Sequence, residues 1–140
     1  MKARAYALGF DLCGIATLGT TGTFPQFERW LSLGMSAGMT YLERYLDQRR
    51  DRRLVHPGTT TAIVVGMAYG GREPAGPVAR YARGDDYHVV MRQRLRTLQA
   101  WLEAEVGRPL VGRPFVDTAP ILERDLARQA GLGGLARTRA

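Results

Sequence analysis

A single aspartate separates a short apolar run from a helix-forming segment in Arg113-Pro-Phe-Val-Asp-Thr-Ala-Pro-Ile-Leu-Glu-Arg-Asp-Leu-Ala-Arg-Gln-Ala-Gly-Leu-Gly133. Phe115 and Val116 suit the end of a strand. Thr118 is placed to cap a following helix, Pro120 falls near its first turn, and Gly131 follows its last apolar position as a stop. On this reading Asp117 lies where a strand gives way to a helix. Side chains at the carboxyl ends of strands face the crevice in which open α/β proteins bind ligands, so Asp117 is a candidate acid. Asp is also a preferred N-cap residue, and a purely structural role as a cap competes with the acid.

A second group of chemistry-bearing residues runs from Val78 to Val90. Arg80, Tyr81, Arg83, Asp85, Asp86, Tyr87 and His88 crowd around Gly84. A loop fixed by a strand before it and a helix after it is well placed for ligand contact. His88 on its own is a weak signal, better suited to a helix-end hydrogen bond than to proton transfer or metal ligation. Arg49, Arg50, Arg52 and Arg53 form a third group around Asp51. Such a run is either a solvated face or a contact for a polyanion.

These groups need elements to hold them. Lys2 to Leu8 reads as a short helix stopped at Gly9, followed by a strand over 10–16 with Leu12, Gly14 and Ala16 on one side. Thr23 and Pro25 open a helix whose Phe24, Phe27, Trp30 and Leu31 recur at helical spacing and form core. From Gly38 another helix places Leu42, Tyr45 and Leu46 on one face and leaves Tyr41 off it. The apolar, β-branched run in Thr60 to Tyr69 predicts a strand central in its sheet. The segment 70–77 is a loop by its Gly and Pro content. Asp85 or Asp86 caps a long helix to Val106, with Val90 or Met91, Leu95, Leu98, Leu102 and Val106 as its apolar stripe and Gly107 as its end. A strand restarts at Leu110 and Val111 and leads to Asp117. The order of elements argues for an α/β (α+β) domain in which a mixed sheet is flanked by helices.

Length and composition bound the function. The chain has 140 residues, enough for one domain with a core of its own. No apolar run approaches the ~20 residues of a membrane span, and no apolar signal core follows the N-terminus, so the expected location is cytoplasmic. Cys13 is the single cysteine, which excludes an internal disulfide and a cysteine-based zinc or iron–sulfur site within the chain. The net charge of +7 comes almost entirely from arginine, a balance that suits a polyanionic partner. No helix-turn-helix, zinc finger or aromatic RNA-binding motif is present.

Ala79-Arg-Tyr-Ala-Arg-Gly-Asp-Asp-Tyr-His88 and Phe115-Val-Asp-Thr-Ala-Pro-Ile-Leu-Glu-Arg124, in this order and separated by a long helix, resemble the N-terminal domain of the epoxyqueuosine reductase family. Leu8-Gly-Phe-Asp-Leu-Cys-Gly-Ile-Ala16, Gly38-Met-Thr-Tyr-Leu42, Asp51-Arg-Arg-Leu54 with Pro57-Gly58, and Ala130-Gly-Leu-Gly133 are similar to it at corresponding places. The resemblance covers roughly residues 4 to 133. It implies an oxidoreductase of tRNA processing in queuosine biosynthesis, acting on epoxyqueuosine at the anticodon wobble base. It also implies cobalamin, bound on a nitroreductase-like scaffold, and 4Fe-4S clusters in a ferredoxin-like domain followed by helical repeats.

Carried over by motif, Asp117 is the expected proton donor to the epoxide oxygen and a cofactor neighbour. Tyr41, Arg80 and Tyr81 are expected beside the corrin or the base. Arg83, Asp86, Tyr87, His88 and Arg124 are expected contacts to substrate or RNA. An acid of this kind needs a site that favours its neutral form by desolvation. After Gly133 the family continues with Trp and a Gly-Lys turn, whereas this chain reads Gly134-Leu-Ala-Arg-Thr-Arg-Ala140. The expectation is therefore a cobalamin-binding domain over 1–133 with a divergent tail over 134–140. The cluster and repeat domains are absent, so the chain is an incomplete fragment, inactive until a separate electron-transfer domain or protein is supplied. The competing readings are an RNA- or anion-binding module without catalysis, and the corrinoid domain of a related reductase.

Overall fold

The computed structural model describes residues 1–69 and 76–133. The divergent tail and most of the loop expected over 70–77 lie outside the described residues. The chain forms two compact units, each drawn from two segments. Met1–Cys13 and Val65–Thr118 make the first, and Gly14–Val64 with Ala119–Ala140 the second.

Two strands, β1 (Leu12–Thr17) and β2 (Thr61–Gly66), pair with each other and are each divided between the units. The Asp11 N–H donates to Gly66 O at 2.9 Å at one end and the Leu18 N–H to Thr60 O at 2.8 Å at the other, an antiparallel register. Among the described residues this pair is the whole sheet, so β2 is not a central strand. In β1 the buried residues are Cys13, Gly14 and Ala16, while Leu12 is exposed.

In the first unit α1 (Lys2–Ala7) buries Ala5 and turns at Gly9, whose φ of 85° suits a residue without a Cβ. The long helix α4 (Tyr87–Val106) starts and stops where expected. The Asp86 carboxylate accepts the His88 N–H as a side-chain cap, and Gly107 ends the helix in the left-handed region at φ 71°. Leu98 is buried on its stripe, but Val106 is exposed.

The strand expected over 110–116 does not form; Gly112 and Pro114 break it, and the segment is irregular up to Leu122. Side chains of α4 meet its backbone instead, with Glu103 Oε1 accepting the Leu110 N–H at 3.2 Å and Gln99 Nε2 donating to Gly112 O at 3.4 Å. Val116 is buried at the end of this run.

In the second unit α2 (Phe24–Ser32) begins with Pro25 in its first turn. Only Phe24 of its aromatic stripe is fully buried, with Phe27 and Trp30 partly so. The helix expected from Gly38 is broken: a 3-10 turn spans Thr40–Glu43, and Tyr45 adopts a left-handed conformation at φ 58° before α3 (Leu46–Arg50). Tyr45 is consequently exposed and does not share a face with Leu42.

The last helix, α5 (Glu123–Gln129), is capped at Leu122, five residues beyond Asp117, so neither Thr118 nor Asp117 is its N-cap. Its end is as expected. The Leu132 N–H donates to Ala127 O at 2.9 Å and the Gly131 N–H to Arg128 O at 3.1 Å, with Gly131 left-handed, a Schellman closure.

The arginine run is split by burial. Arg52 lies with Asp125 in the second unit, Nη2 to Oδ2 at 3.5 Å, their side chains 0% and 1% exposed, and also donates to Gly19 O and Thr20 O. Burial pulls its pKa below the ordinary arginine value while the facing Asp125 pushes it back. Arg49 is buried too. Arg50 and Arg53 remain in solvent, paired to Glu28 at 3.1 Å and Asp51 at 2.6 Å. The four arginines therefore do not form one solvated face.

Candidate active site

The first unit carries a cavity of about 570 Å³ lined by residues of three stretches. Met67, Ala68 and Tyr69 follow β2; Arg80, Tyr81, Gly84 and Asp85 come from the loop before α4; Tyr87, Val90 and Met91 belong to the first turns of α4. Asp117 completes it from the irregular segment. The post-strand residues are held from both sides. Asp11 Oδ2 accepts the Ala68 N–H at 2.7 Å, and Arg94 Nη1 donates to Gly9 O at 2.7 Å and reaches Met67 Sδ at 3.1 Å.

One wall is a file of aromatic rings. Tyr69 meets Tyr81 edge to face at 6.1 Å, Tyr81 meets Tyr87 in the same way at 6.1 Å, and the Tyr87 ring stacks on His88 at 4.0 Å. Tyr69 and Tyr81 keep 70% and 53% of their surface exposed. Aromatic area of this kind, next to Met67, Val90 and Met91, suits one face of a broad, largely apolar ring system. Arg80, Asp85 and Asp117 supply polar groups for its periphery.

Asp117 holds a strained position. Its φ of 52° is left-handed, a region that L residues other than Asn and Asp seldom occupy. Asp117 Oδ2 accepts the Tyr87 hydroxyl at 2.5 Å, the length of a charge-assisted O–H···O bond. That bond, followed by desolvation and the Asp117 charge, pushes the Tyr87 phenol up to about 12, so Tyr87 remains a donor throughout the neutral range.

His88 is bracketed by two carboxylates. Its Nδ1 lies 2.8 Å from Asp86 Oδ1, and its Nε2 lies 4.0 Å from Asp117 Oδ2. Asp86 is held below the usual carboxylate range by the His88 backbone N–H and then by the imidazole.

Of the residues singled out in the sequence, Arg80, Tyr81, Tyr87 and Asp117 come together on the cavity. His88 and Asp86 stand behind them, and Arg83 turns back to donate to Val78 O at 2.8 Å. Tyr41 and Arg124 belong to the second unit, both exposed, with the Tyr41 hydroxyl directed at Met39 Sδ. The sequence reading passed over Met67, Tyr69, Val90 and Met91 as site residues. Tyr69 carries a usable signal, an aromatic three residues past Gly66 at the carboxyl end of the most apolar strand.

A family model described as epoxyqueuosine reductase QueG, DUF1730, matches residues 49–118, half of the chain. The chain belongs to the epoxyqueuosine reductase family. Every residue lining the cavity falls inside the matched segment. The epoxyqueuosine reductase of Xanthomonas campestris pv. campestris is 37% identical over 148 residues, covering 98% of this chain and 41% of that relative. Two solved structures share the fold. One is an epoxyqueuosine reductase crystallised with an epoxyqueuosine-modified tRNA-Tyr stem loop, at a TM-score of 0.77 and 24% identity over 94% of this chain and 37% of that one. The other is the Bacillus subtilis enzyme with its catalytic aspartate loop swung out of the active site, at a TM-score of 0.75 and 23% identity over 95% of this chain and 37% of that one. The chain spans about two fifths of the length of these epoxyqueuosine reductases. Among its described residues no helix is long and apolar enough to cross a membrane.

Proposed function

We propose that residues 1–133 are the N-terminal domain of a cytoplasmic, cobalamin-dependent reductase that converts epoxyqueuosine to queuosine in tRNA, on a scaffold of the nitroreductase-like kind. The observation that carries this reading is the placement of Asp117. It is a left-handed loop residue on the rim of an aromatic cavity, and that cavity is built wholly from the segment that matches the family.

Met67, Tyr69, Tyr81, Val90 and Met91 would hold the corrin face and Arg80 its polar edge. Reduced cobalamin supplies the nucleophile and electrons for opening an epoxide. The chain's own residues supply the proton. A ligand that fills the cavity strips water from Asp117 and favours its neutral carboxyl form, which then gives a proton to the oxygen released from the ring. Tyr87 holds Asp117 in place while this happens. Iron–sulfur clusters would take their ligands from elsewhere, since Cys13 is the chain's single cysteine and is buried. The exposed Arg50 and Arg53 are available to the tRNA backbone.

Titrating the chain with cobalamin, followed by absorbance, tests the cofactor site: wild type binds, and Tyr81→Ala binds at least tenfold more weakly. In the chain joined to an electron-transfer partner, Asp117→Asn binds cobalamin but loses epoxide reduction. An absence of cobalamin binding together with salt-sensitive RNA binding would leave an RNA-binding module without chemistry. Cobalamin binding with no tRNA binding would indicate a related corrinoid reductase.

A further inference from the structure

The start of α4 supplies a carboxylate at its N-cap, Asp86, and an imidazole in its first turn, His88, to which the acid alone assigns no work. His88 stands 4.0 Å from Asp117, with Asp86 on the other side of its ring, yet neither His88 nor Asp86 lines the cavity, whereas Asp117 and Tyr87 do. A molecule occupying the cavity therefore covers Asp117 and leaves the imidazole on its far side, where the His88 side chain is 35% exposed. The two ring nitrogens face different partners. An ionised carboxylate is an acceptor only, so Asp86 at 2.8 Å from Nδ1 fixes the tautomer with the proton on Nδ1. Nε2 is left directed at Asp117 Oδ2, 4.0 Å away and about 1 Å beyond hydrogen-bond length. The stacked Tyr87 ring keeps the imidazole plane in this orientation.

We infer that His88 is a relay that returns a proton to Asp117 after each turnover, with Asp86 as the residue that positions it. The inference rests on the reading that Asp117 gives up a proton in the reaction. After that step Asp117 is a carboxylate. Imidazolium His88 passes its Nε2 proton to Asp117 Oδ2, which becomes a carboxylic acid, and His88 is left neutral with its Nδ1 proton still on Asp86. Solvent then returns a proton to Nε2. No electrons move, and the one proton consumed per turnover comes from water. An imidazole suits this work because its two nitrogens let it hold a proton at one while it gives and takes a proton at the other. Among the described residues Asp86 flanks it on one side, with Arg92 acting on that carboxylate, and Asp117 flanks it on the other, with the Tyr87 hydroxyl bound to the same Asp117 oxygen.

The chain has two histidines, His56 and His88, so nitrogen-15 NMR of the chain itself reads the tautomer without ambiguity. Neutral His88 is expected with its proton on Nδ1. Asp86→Ser keeps a helix cap but is too short to reach the ring, so it should keep the fold and lose that preference. Asp117→Asn should change the His88 signals and leave those of His56. An Nε2-protonated ring in wild type, or His88 signals indifferent to Asp117→Asn, overturns the relay.

In the assembled reductase, His88→Gln is expected to give a burst of about one product per site followed by a slow phase. Added imidazole should restore that slow phase. Loss of activity without a burst and without rescue also overturns the relay, while full activity of Asp117→Asn would instead overturn the acid on which it rests.

Discussion

Asp117 is a left-handed residue at φ 52° whose Oδ2 accepts the Tyr87 hydroxyl, and it sits in an irregular segment. A strand before it and a capped helix after it were reasonable from Phe115, Val116 and Thr118, yet Gly112 and Pro114 deny the strand its ladder and the helix waits until Glu123. The competing role as a cap is therefore removed by geometry. What replaces it is backbone strain, and substitutions separate that from chemistry. Asp117→Asn tolerates φ 52° and still accepts from Tyr87, so it should fold normally while epoxide reduction drops by about 10²-fold or more, the usual scale for a lost general acid. Asp117→Val adds a β-branched side chain at positive φ and should cost about 1–3 kcal/mol in urea denaturation. Tyr87 gives a pH signature. Its phenol is raised to about 12 in the folded chain, so the unfolded chain ionises first as pH rises past 10. This group's stabilising contribution is fully present below pH 10 and is lost towards pH 12. Absorbance titration of tyrosinate should show one late-titrating phenol that disappears in Tyr87→Phe.

Among the elements, α4 was the most legible, because its cap, its stripe and its glycine stop are all local signals. Asp86→Ala should lower the melting temperature by removing the cap to the His88 N–H, and Asp86→Ser should recover most of the loss. The β1 face was less legible. Spacing puts Leu12, Gly14 and Ala16 on one side, but Cys13 and Gly14 are buried in succession: Gly14 lies against the C-cap of α5 in the second unit, where a Cβ would collide with Ala130 O and come within 2.9 Å of Ala130 Cβ. Sequence spacing along one strand carries no information about such an approach from a distant helix. Gly14→Ala is expected to cost about 1–3 kcal/mol, because the obstacle is backbone that must shift rather than a side chain that can turn away. Similarly, nothing local in Leu42 to Leu46 announces that Tyr45 is left-handed and splits the expected helix in two.

Across the chain as a unit, charge is easy to count and hard to place. The run from Arg49 to Arg53 looked uniform, yet it contains a buried ion pair and two surface pairs. Arg52→Met leaves the interior Asp125 with Arg128, Nη2 to Oδ1 at 3.3 Å, as its remaining ion-pair partner among the described residues and should cost up to about 3–5 kcal/mol in urea unfolding, with Arg52→Met/Asp125→Leu recovering much of the loss. Arg50→Gln with Arg53→Gln should leave the urea midpoint nearly unchanged, since both pairs lie in solvent. The same pair should reduce the salt slope of RNA binding by at most about two phosphate contacts, since Arg49 and Arg52 are not available. The buried pair also sets an order of events during synthesis. Arg52 leaves the ribosome early, and its partner follows only after β2, the cavity residues and α4 have been made. At roughly 5–20 residues per second the nascent chain must keep that guanidinium hydrated for several seconds. The second unit, though encoded largely in the first half of the chain, can close only after the last described helix has emerged.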